Sequence, residues 1–144
     1  MARILAFDYG MKRVGVAATD PLQIIANSVD TIATKEIEAF IKQYVAKEDV
    51  VEFVVGMPYN FGHSQNDLVV KVDGFIALLR RQYPDKRVTT VDERFTSRMA
   101  SRVIAESGKT KKEREKKGNI DKISATIILQ SFLEMRDNGL IGRI

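Results

Sequence analysis

Two short apolar segments, separated by a turn that contains glycine, open the chain. Residues 3–8 and 14–19 are rich in Ile, Leu and Val and predict two β-strands, and residues 24–32 predict a weaker third strand. Because the connections between these segments are short, we expect the three strands to form an antiparallel meander. The beginning of the chain therefore predicts a fold that contains a β-sheet.

Helical and strand patterns alternate in the rest of the chain. The predicted helices span residues 36–47, 68–83, the segment between Thr96 and Gly108, and 119–136, with later strands at 50–55 and 87–91. Thr96 and Asn119 are the predicted N-caps of the last two helices. Strands that alternate with helices are typical of parallel strands joined by crossovers. We expect one α/β domain over residues 1–144, with a mixed five-stranded sheet flanked by helices.

The composition excludes several kinds of site. The chain has no cysteine, so disulfides, thiolate zinc sites and a cysteine nucleophile are excluded. Its single histidine, His63, argues against a histidine-rich metal site or a Ser-His triad. The apolar run at the N-terminus is short and contains Asp8, and no segment approaches the roughly 18 apolar residues of a membrane span. We therefore expect a cytoplasmic protein with no membrane partner.

The excess positive charge lies in one segment. Residues 109–118 hold six basic and two acidic residues, which equals the net charge of +4 of the whole chain. One interpretation is a solvated loop. The other is a basic arm that contacts a polyanion backbone, for which each neutralised phosphate releases counterions. The candidate contacts in this segment are Lys111, Lys112, Lys116 and Lys117.

Three acidic residues stand at the ends of predicted apolar elements: Asp8, Glu93 and Asp121. Each has a simpler explanation, since Asp8 could cap its turn, Glu93 could pair with Arg94 or Arg98, and Asp121 could favour the helix dipole. Together they suggest an oxygen-rich site, which suits Mg²⁺ or Mn²⁺. Two such ions about 4 Å apart can activate water and stabilise the leaving oxygen of a phosphodiester.

Four motifs spread over the whole chain resemble the YqgF/RuvX family. They are Asp8-x-Gly10-x-Lys12-Arg13-x-Gly15, Val55-Gly56-x-Pro58, Asp92-Glu93-Arg94-x-Thr96 and Asp121-x-x-Ser124-Ala125-x-x-Ile128-Leu129-Gln130. Members of this family are described as Holliday junction resolvases or pre-ribosomal RNA nucleases with a ribonuclease H-like fold. The resemblance implies that fold, and an acidic catalytic site in which Asp8, Glu93 and Asp121 hold one or two Mg²⁺ or Mn²⁺ ions.

Ser124 departs from the pattern of the family. The family usually has alanine at this position, and the related junction resolvases carry an additional acid there. The Ser124 hydroxyl lies one helical turn from Asp121, so it could hydrogen-bond that carboxylate or a water on the metal, or it could be a small residue at a tight packing site. A site with three acids would bind a second ion weakly, which bears on junction cleavage more than on nuclease chemistry.

Other residues are candidate supports of the site. Lys12 and Arg13 either contact phosphate or form an exposed hairpin tip, and Arg94 and Arg98 either bind the backbone of a nucleic acid or balance the acids. The loop after residue 56 carries three further candidates: Tyr59, Phe61 and His63. Its aromatic rings could stack on bases or pack the loop, and its histidine could contact phosphate, shuttle a proton or have no role in function.

The resemblance implies a metal-dependent endonuclease acting on structured nucleic acid, with 5′-end processing of pre-16S ribosomal RNA as the first hypothesis. The alternatives are a Holliday junction resolvase acting on branched DNA and a non-catalytic nucleic-acid-binding module in transcription. An actin-like ATPase lobe is a further alternative, but such ATPases need two lobes and the chain is long enough for one. A monomer or a weak homodimer is expected.

Overall fold

The computed structural model describes residues 2–57, 66–92 and 117–137, without the side chains of residues 66 and 117–123. These ranges contain five strands and three α-helices. The strands are β1 (Arg3–Tyr9), β2 (Arg13–Thr19), β3 (Ala26–Ala33), β4 (Val50–Met57) and β5 (Arg87–Asp92). The helices are α1 (Ile37–Lys47), α2 (Asn66–Gln82) and α3 (Lys117–Asp137), and a 3₁₀ turn at Thr34–Glu36 precedes α1.

The five strands form one mixed sheet in the order β3-β2-β1-β4-β5. The first three strands are an antiparallel meander, and β4 and β5 run parallel to β1. This confirms the predicted sheet. The carboxyl ends of β1, β4 and β5 consequently meet at one edge, where ligands bind in open sheets of this kind.

Side-chain alternation along the strands divides the core into two clusters. Leu5 and Phe7 of β1 pack with residues of α1 and α2, and the Phe7 ring meets Phe75 of α2 edge-on at 5.2 Å between centroids. Ile4 and Ala6 belong to the other cluster, which is covered by α3. Because side chains alternate between faces, Asp8 shares the face of Ile4 and Ala6, which we call the α3 face of the sheet.

Helix α3 packs across the α3 face of the sheet. Its last turn is fixed by Arg136, whose Nη1 donates to Gln23 Oε1 at 2.7 Å, while Gln23 Nε2 donates to the carbonyl of Ala2 at 2.8 Å. The C-terminal end of α3 therefore lies at the amino end of β1. The same buried cluster also includes Val91, near the carboxyl end of β5. The first half of α3 is thus directed toward the carboxyl edge of the sheet.

Strand β3 begins two residues later than the apolar pattern predicts. The Asp20 carboxylate accepts hydrogen bonds from the backbone N–H groups of Leu22, Ile24 and Ile25 at 3.1, 2.9 and 2.8 Å. These bonds hold the apolar residues in a loop, where Asp20 replaces the ladder as their partner. The prediction of a strand start at residue 24 was therefore wrong.

Helix α3 begins earlier than predicted. It starts at Lys117, so Asn119 lies inside the first turn and is not the N-cap. The predicted helix between Thr96 and Gly108 lies outside the described residues. No helix in the described part of the chain is long and apolar enough to cross a membrane.

Candidate active site

Asp8 stands near the carboxyl end of the central strand β1. It is half-buried, and its backbone pairs with Gly15 of β2 in the antiparallel ladder. Residues that pair across two strands present their side chains on the same face. The position of β2 directly opposite Asp8 therefore carries no side chain.

The parallel neighbour of Asp8 is also a glycine. Phe7 pairs with Val55 of β4, so the next residue of β4 along the ladder is Gly56, which in turn pairs with Val91 of β5. Neighbouring strands lie about 4.8 Å apart. On the α3 face, the row through Asp8 thus reads Gly15, Asp8, Gly56 and Val91, with the carboxylate between two positions that lack side chains. We call these four residues the glycine row.

The last strand places Asp92 on the face of the sheet opposite to Asp8. Val88 packs with the cluster under α1 and α2, whereas Val91 belongs to the cluster under α3. Alternation assigns Asp92, which pairs with Met57, to the face of Val88 and away from Asp8. Glu93, the predicted ligand, follows directly in the sequence and lies outside the described residues.

Asp121 lies in the second turn of α3. A helix that began at the predicted residue 119 would have Asp121 in its first turn, but the helix starts at Lys117 and its first turn contains no acidic residue, so that placement was wrong. The dipole of a helix acts mainly within its first turn, so this explanation of Asp121 is weakened. The side chain of Asp121 is not described. Its position is four residues before Ala125, which is fully buried in the cluster under α3.

The distances along α3 and β1 match. Asp121 lies 15 residues before Arg136, which corresponds to about 22 Å of helix. Asp8 lies six residues after Ala2, which corresponds to about 20 Å of strand. Since Arg136 and Ala2 are joined through Gln23, α3 is long enough to reach from that contact to the carboxyl edge of the sheet, where Asp8 lies.

The turn between β1 and β2 carries two predicted basic residues beyond Asp8. The N–H of Gly10 donates to the carbonyl of Arg13 at 2.9 Å and closes the turn. A Cβ on Gly10 would come within 2.7 Å of the same carbonyl oxygen, so the close approach requires glycine. Lys12 is exposed and Arg13, the first residue of β2, is half-buried. We call Gly10–Arg13 the basic turn.

Thr34 contacts the basic turn, and the sequence did not point to it. Its hydroxyl donates to the carbonyl of Gly10 at 2.8 Å and its N–H donates to the carbonyl of Lys12 at 3.0 Å. These contacts join residues 22 and 24 positions apart. Only the pairing of β2 with β3, which places Arg13 opposite Ala33, could have indicated the contact.

On the opposite face, Tyr9 anchors the end of β1. Its ring lies 4.8 Å from that of Phe75, between centroids. Burial, and in second place the negative charge of Glu38, raise the pKa of Tyr9 above its ordinary value. This face is thus packed and low in polarity at the level where the α3 face carries a carboxylate.

The described residues account for only part of the predicted site. Ser124 is half-buried, next to Ala125. Lys117 opens α3, but its side chain is not described. The candidates that lie outside the described residues are Tyr59, Phe61, His63, Arg94, Arg98, Lys111, Lys112 and Lys116. Within the described residues, no cluster of three or more His, Cys, Asp or Glu side chains could hold a metal ion.

Comparisons with known proteins identify relatives of this chain. Residues 2–135 match the family RuvX, described as "Holliday junction resolvase". A relative from Amoebophilus asiaticus named "Putative pre-16S rRNA nuclease" is 49% identical over 133 residues, which are 92% of this chain and 94% of that protein. A Bacteroides thetaiotaomicron protein of the same name is 44% identical over 136 residues, which are 94% of this chain and 99% of that protein.

A solved structure shows the same fold. Thermus thermophilus RuvC, in a structure described as a complex with Holliday junction substrate, superposes with a TM-score of 0.58 at 14% identity and covers 94% of this chain and 96% of that chain. At this identity the likeness concerns the fold, which is the ribonuclease H-like fold. The match over residues 2–135 shows that the chain belongs to the RuvX family.

Proposed function

We propose that this chain is a divalent-metal-dependent endonuclease that cleaves phosphodiester bonds of structured RNA, with pre-16S ribosomal RNA in the cytoplasm as its substrate. Asp8, Glu93 and Asp121 are the proposed metal ligands and catalytic residues. The names of the relatives support the substrate. The single observation that carries the chemistry is Asp8 in the glycine row, at the edge where three parallel strands end.

The donors of the proposed site fit a hard cation. Carboxylate oxygens are the ligands that Mg²⁺ and Mn²⁺ prefer, and an acid at a sheet edge costs less when a cation offsets its charge. The glycines beside Asp8 leave the α3 face without side chains at the two neighbouring positions. An ion with water and phosphate ligands, which Mg²⁺ usually retains, would bind beside Asp8 at these positions.

Glu93 is the proposed ligand that follows β5 in the sequence. Val91 lies on the α3 face, so continued alternation predicts the same face for Glu93 and the opposite one for Asp92. Strands β1 and β5 are two strand spacings apart, or about 10 Å. Gly56 lies between Asp8 and Val91 in the glycine row, and Glu93 is two residues beyond Val91, so a Glu93 carboxylate directed back toward Gly56 could share an ion with Asp8.

Asp121 is the proposed ligand from α3. It is one helical turn before Ala125, so a continuation of the stripe of α3 that is buried against the sheet would include its position. An acid at this position would be directed toward the sheet edge from above. Ser124 is a small residue, so it would leave space beside Asp121.

A divalent ion at these carboxylates would supply positive charge that polarises water for attack and stabilises the oxygen that leaves phosphorus. The chain supplies the position of its ligands. The ladder fixes Asp8, because a strand paired on both sides has little freedom, and Tyr9 and Phe7 anchor the opposite face. Lys12 and Arg13 lie beyond Asp8, where their charge favours a phosphate backbone.

The test is cleavage of a labelled fragment of pre-16S ribosomal RNA with Mg²⁺, compared between the wild type and Asp8→Asn. We expect cleavage that requires the metal and a loss of at least about 100-fold in Asp8→Asn, since the variant keeps the shape but not the charge. Asp85→Asn is the matched control, because Asp85 is an exposed acid before β5, at the other end of the sheet. Equal cleavage by the wild type and Asp8→Asn would contradict the proposal.

The description of the RuvX family favours a second candidate, a resolvase of branched DNA. A four-way DNA junction in the same assay separates the two. Cleavage of the junction and not of the RNA would establish the resolvase. Binding of either substrate without cleavage, unchanged by Asp8→Asn, would instead indicate a non-catalytic binding module.

A further inference from the structure

One threonine joins the end of the meander to the basic turn. Thr34 is the first residue of the 3₁₀ turn that follows β3, and it is half-buried. Its hydroxyl and its N–H donate to the carbonyls of Gly10 and Lys12 at 2.8 and 3.0 Å. Both hydrogen bonds have ordinary lengths. A single residue therefore holds the turn at two points.

These contacts add to the other bonds that hold the turn. The bond from Gly10 to Arg13 closes the turn, and the pairing of Arg13 with Ala33 joins its last residue to β3. Thr34, in the 3₁₀ turn after β3, fixes two further carbonyls of the turn, those of Gly10 and Lys12. The basic turn is thus held by the sheet and not only by its hairpin.

We propose that Thr34 is a positioning residue that aligns the basic turn, and through it Lys12, with a phosphate of nucleic acid bound at Asp8. This inference rests on the proposed nuclease function for its location and deepens it by adding a residue of the substrate-binding surface. Thr34 acts through the turn: its two donors are both used by carbonyls of the turn.

Two substitutions isolate the hydroxyl. Thr34→Val keeps the shape and the backbone N–H and removes only the donor to Gly10, whereas Thr34→Ser keeps that donor. The matched control is Thr89→Val, because the Thr89 hydroxyl also donates a hydrogen bond, to Glu52 Oε2 at 2.6 Å, but lies on β5 away from the turn. The control separates positioning from a general loss of stability.

The experiment measures KM and kcat for cleavage of the labelled pre-16S RNA fragment by these variants. We expect Thr34→Val to raise KM about five- to tenfold, the equivalent of one hydrogen bond, with kcat within about twofold. Thr34→Ser should restore KM. Thr89→Val should leave KM unchanged even though its melting temperature falls.

A second readout does not require cleavage. The RNA-binding constant is measured at several salt concentrations in the Asp8→Asn background. We expect Thr34→Val and Lys12→Ala each to reduce the slope of log binding constant against log salt concentration by about one released ion. The double variant Thr34→Val/Lys12→Ala should reduce this slope no further. If the wild type binds RNA without cleaving it, the nuclease proposal fails and this slope still tests Thr34.

Three results would overturn the inference. The first is a Thr34→Val variant with the KM and salt slope of the wild type. The second is a Thr34→Ser variant as impaired as Thr34→Val, because a purely steric role would then explain both. The third is an absence of RNA binding by the wild type, which would overturn the function and the inference together.

Discussion

Asp8 pairs with Gly15 across the antiparallel ladder of β1 and β2, so the position of β2 directly opposite its carboxylate carries no side chain. Gly56 follows the residue that pairs with Phe7 on the other side. Two glycines beside an acid on a central strand give up the side-chain packing that larger residues would provide in this row. The proposed site accounts for this loss, because an ion and its ligands would occupy these positions.

Adding a methyl group to the glycine row should impair the proposed site. In Gly15→Ala the new Cβ would stand about 5 Å from that of Asp8, on the same face. We expect the Mg²⁺ concentration needed for half-maximal cleavage to rise about tenfold or more, as for other changes around metal ligands. Gly56→Ala should act in the same direction. Cleavage with the wild-type Mg²⁺ dependence in both variants would contradict a site at this row.

Substituting alanine at two other glycines should change the free energy of unfolding in opposite directions. In Gly74→Ala, the new Cβ has nothing within 4 Å inside α2, so helix propensity should raise the free energy of unfolding by about 0.5–1 kcal/mol. In Gly10→Ala, the new Cβ would meet the carbonyl of Arg13 at 2.7 Å, so stability should fall. Urea denaturation of both variants measures the difference. A Gly10→Ala variant as stable as the wild type would show that the turn is not tight.

The loop between β2 and β3 should depend on an ionised Asp20. The N–H of Ile25 first, together with those of Ile24 and Leu22, lowers the pKa of Asp20 below its ordinary value. Asp20→Asn should therefore lower the melting temperature at neutral pH. The wild type should lose this advantage as the pH falls below about 4 and through the lowered pKa of the folded state. An advantage that persists below that pKa would contradict this account, and Asp85→Asn is the control.

Alkaline pH should destabilise the chain partly through Tyr9. Burial raises its pKa, so the unfolded chain loses its tyrosine proton first, near the ordinary value of 10.0, and stability falls as the pH rises beyond that value. Tyr9→Phe keeps the ring against Phe75 and should decline less steeply. Some decline remains, because burial also raises the pKa of Tyr44 and Tyr83. Equal alkaline slopes for the wild type and Tyr9→Phe would refute this role.

The element order and sheet type were predictable because periodicity reports burial. Apolar residues at helical spacing in α2, such as Val72, Ile76 and Leu79, are buried as predicted. The start of β3 was not predictable from apolar content, since a carboxylate at Asp20 competes for the backbone N–H groups of the loop. Local hydrogen bonds of this kind do not appear in a hydrophobic pattern.

The motifs named the proposed ligands, which stay predictions, but they did not show the setting of Asp8 in the sheet. Motifs indicated Asp8, but its pairing with Gly15 depends on the register of the ladder, which turn geometry and burial set together. Thr34 could not be found, because its partners are more than 20 positions away and a threonine after a strand is unremarkable in sequence. Glu93 stays a prediction.

The central claim is that three acids, Asp8, Glu93 and Asp121, form one metal centre. Binding of Mn²⁺ to the purified chain, followed by electron paramagnetic resonance, tests it most directly. The account predicts that Asp8→Asn, Glu93→Gln and Asp121→Asn each weaken Mn²⁺ binding at least tenfold, about 1.4 kcal/mol, while Asp85→Asn does not. Mn²⁺ affinity equal to that of the wild type in all three variants would contradict the account.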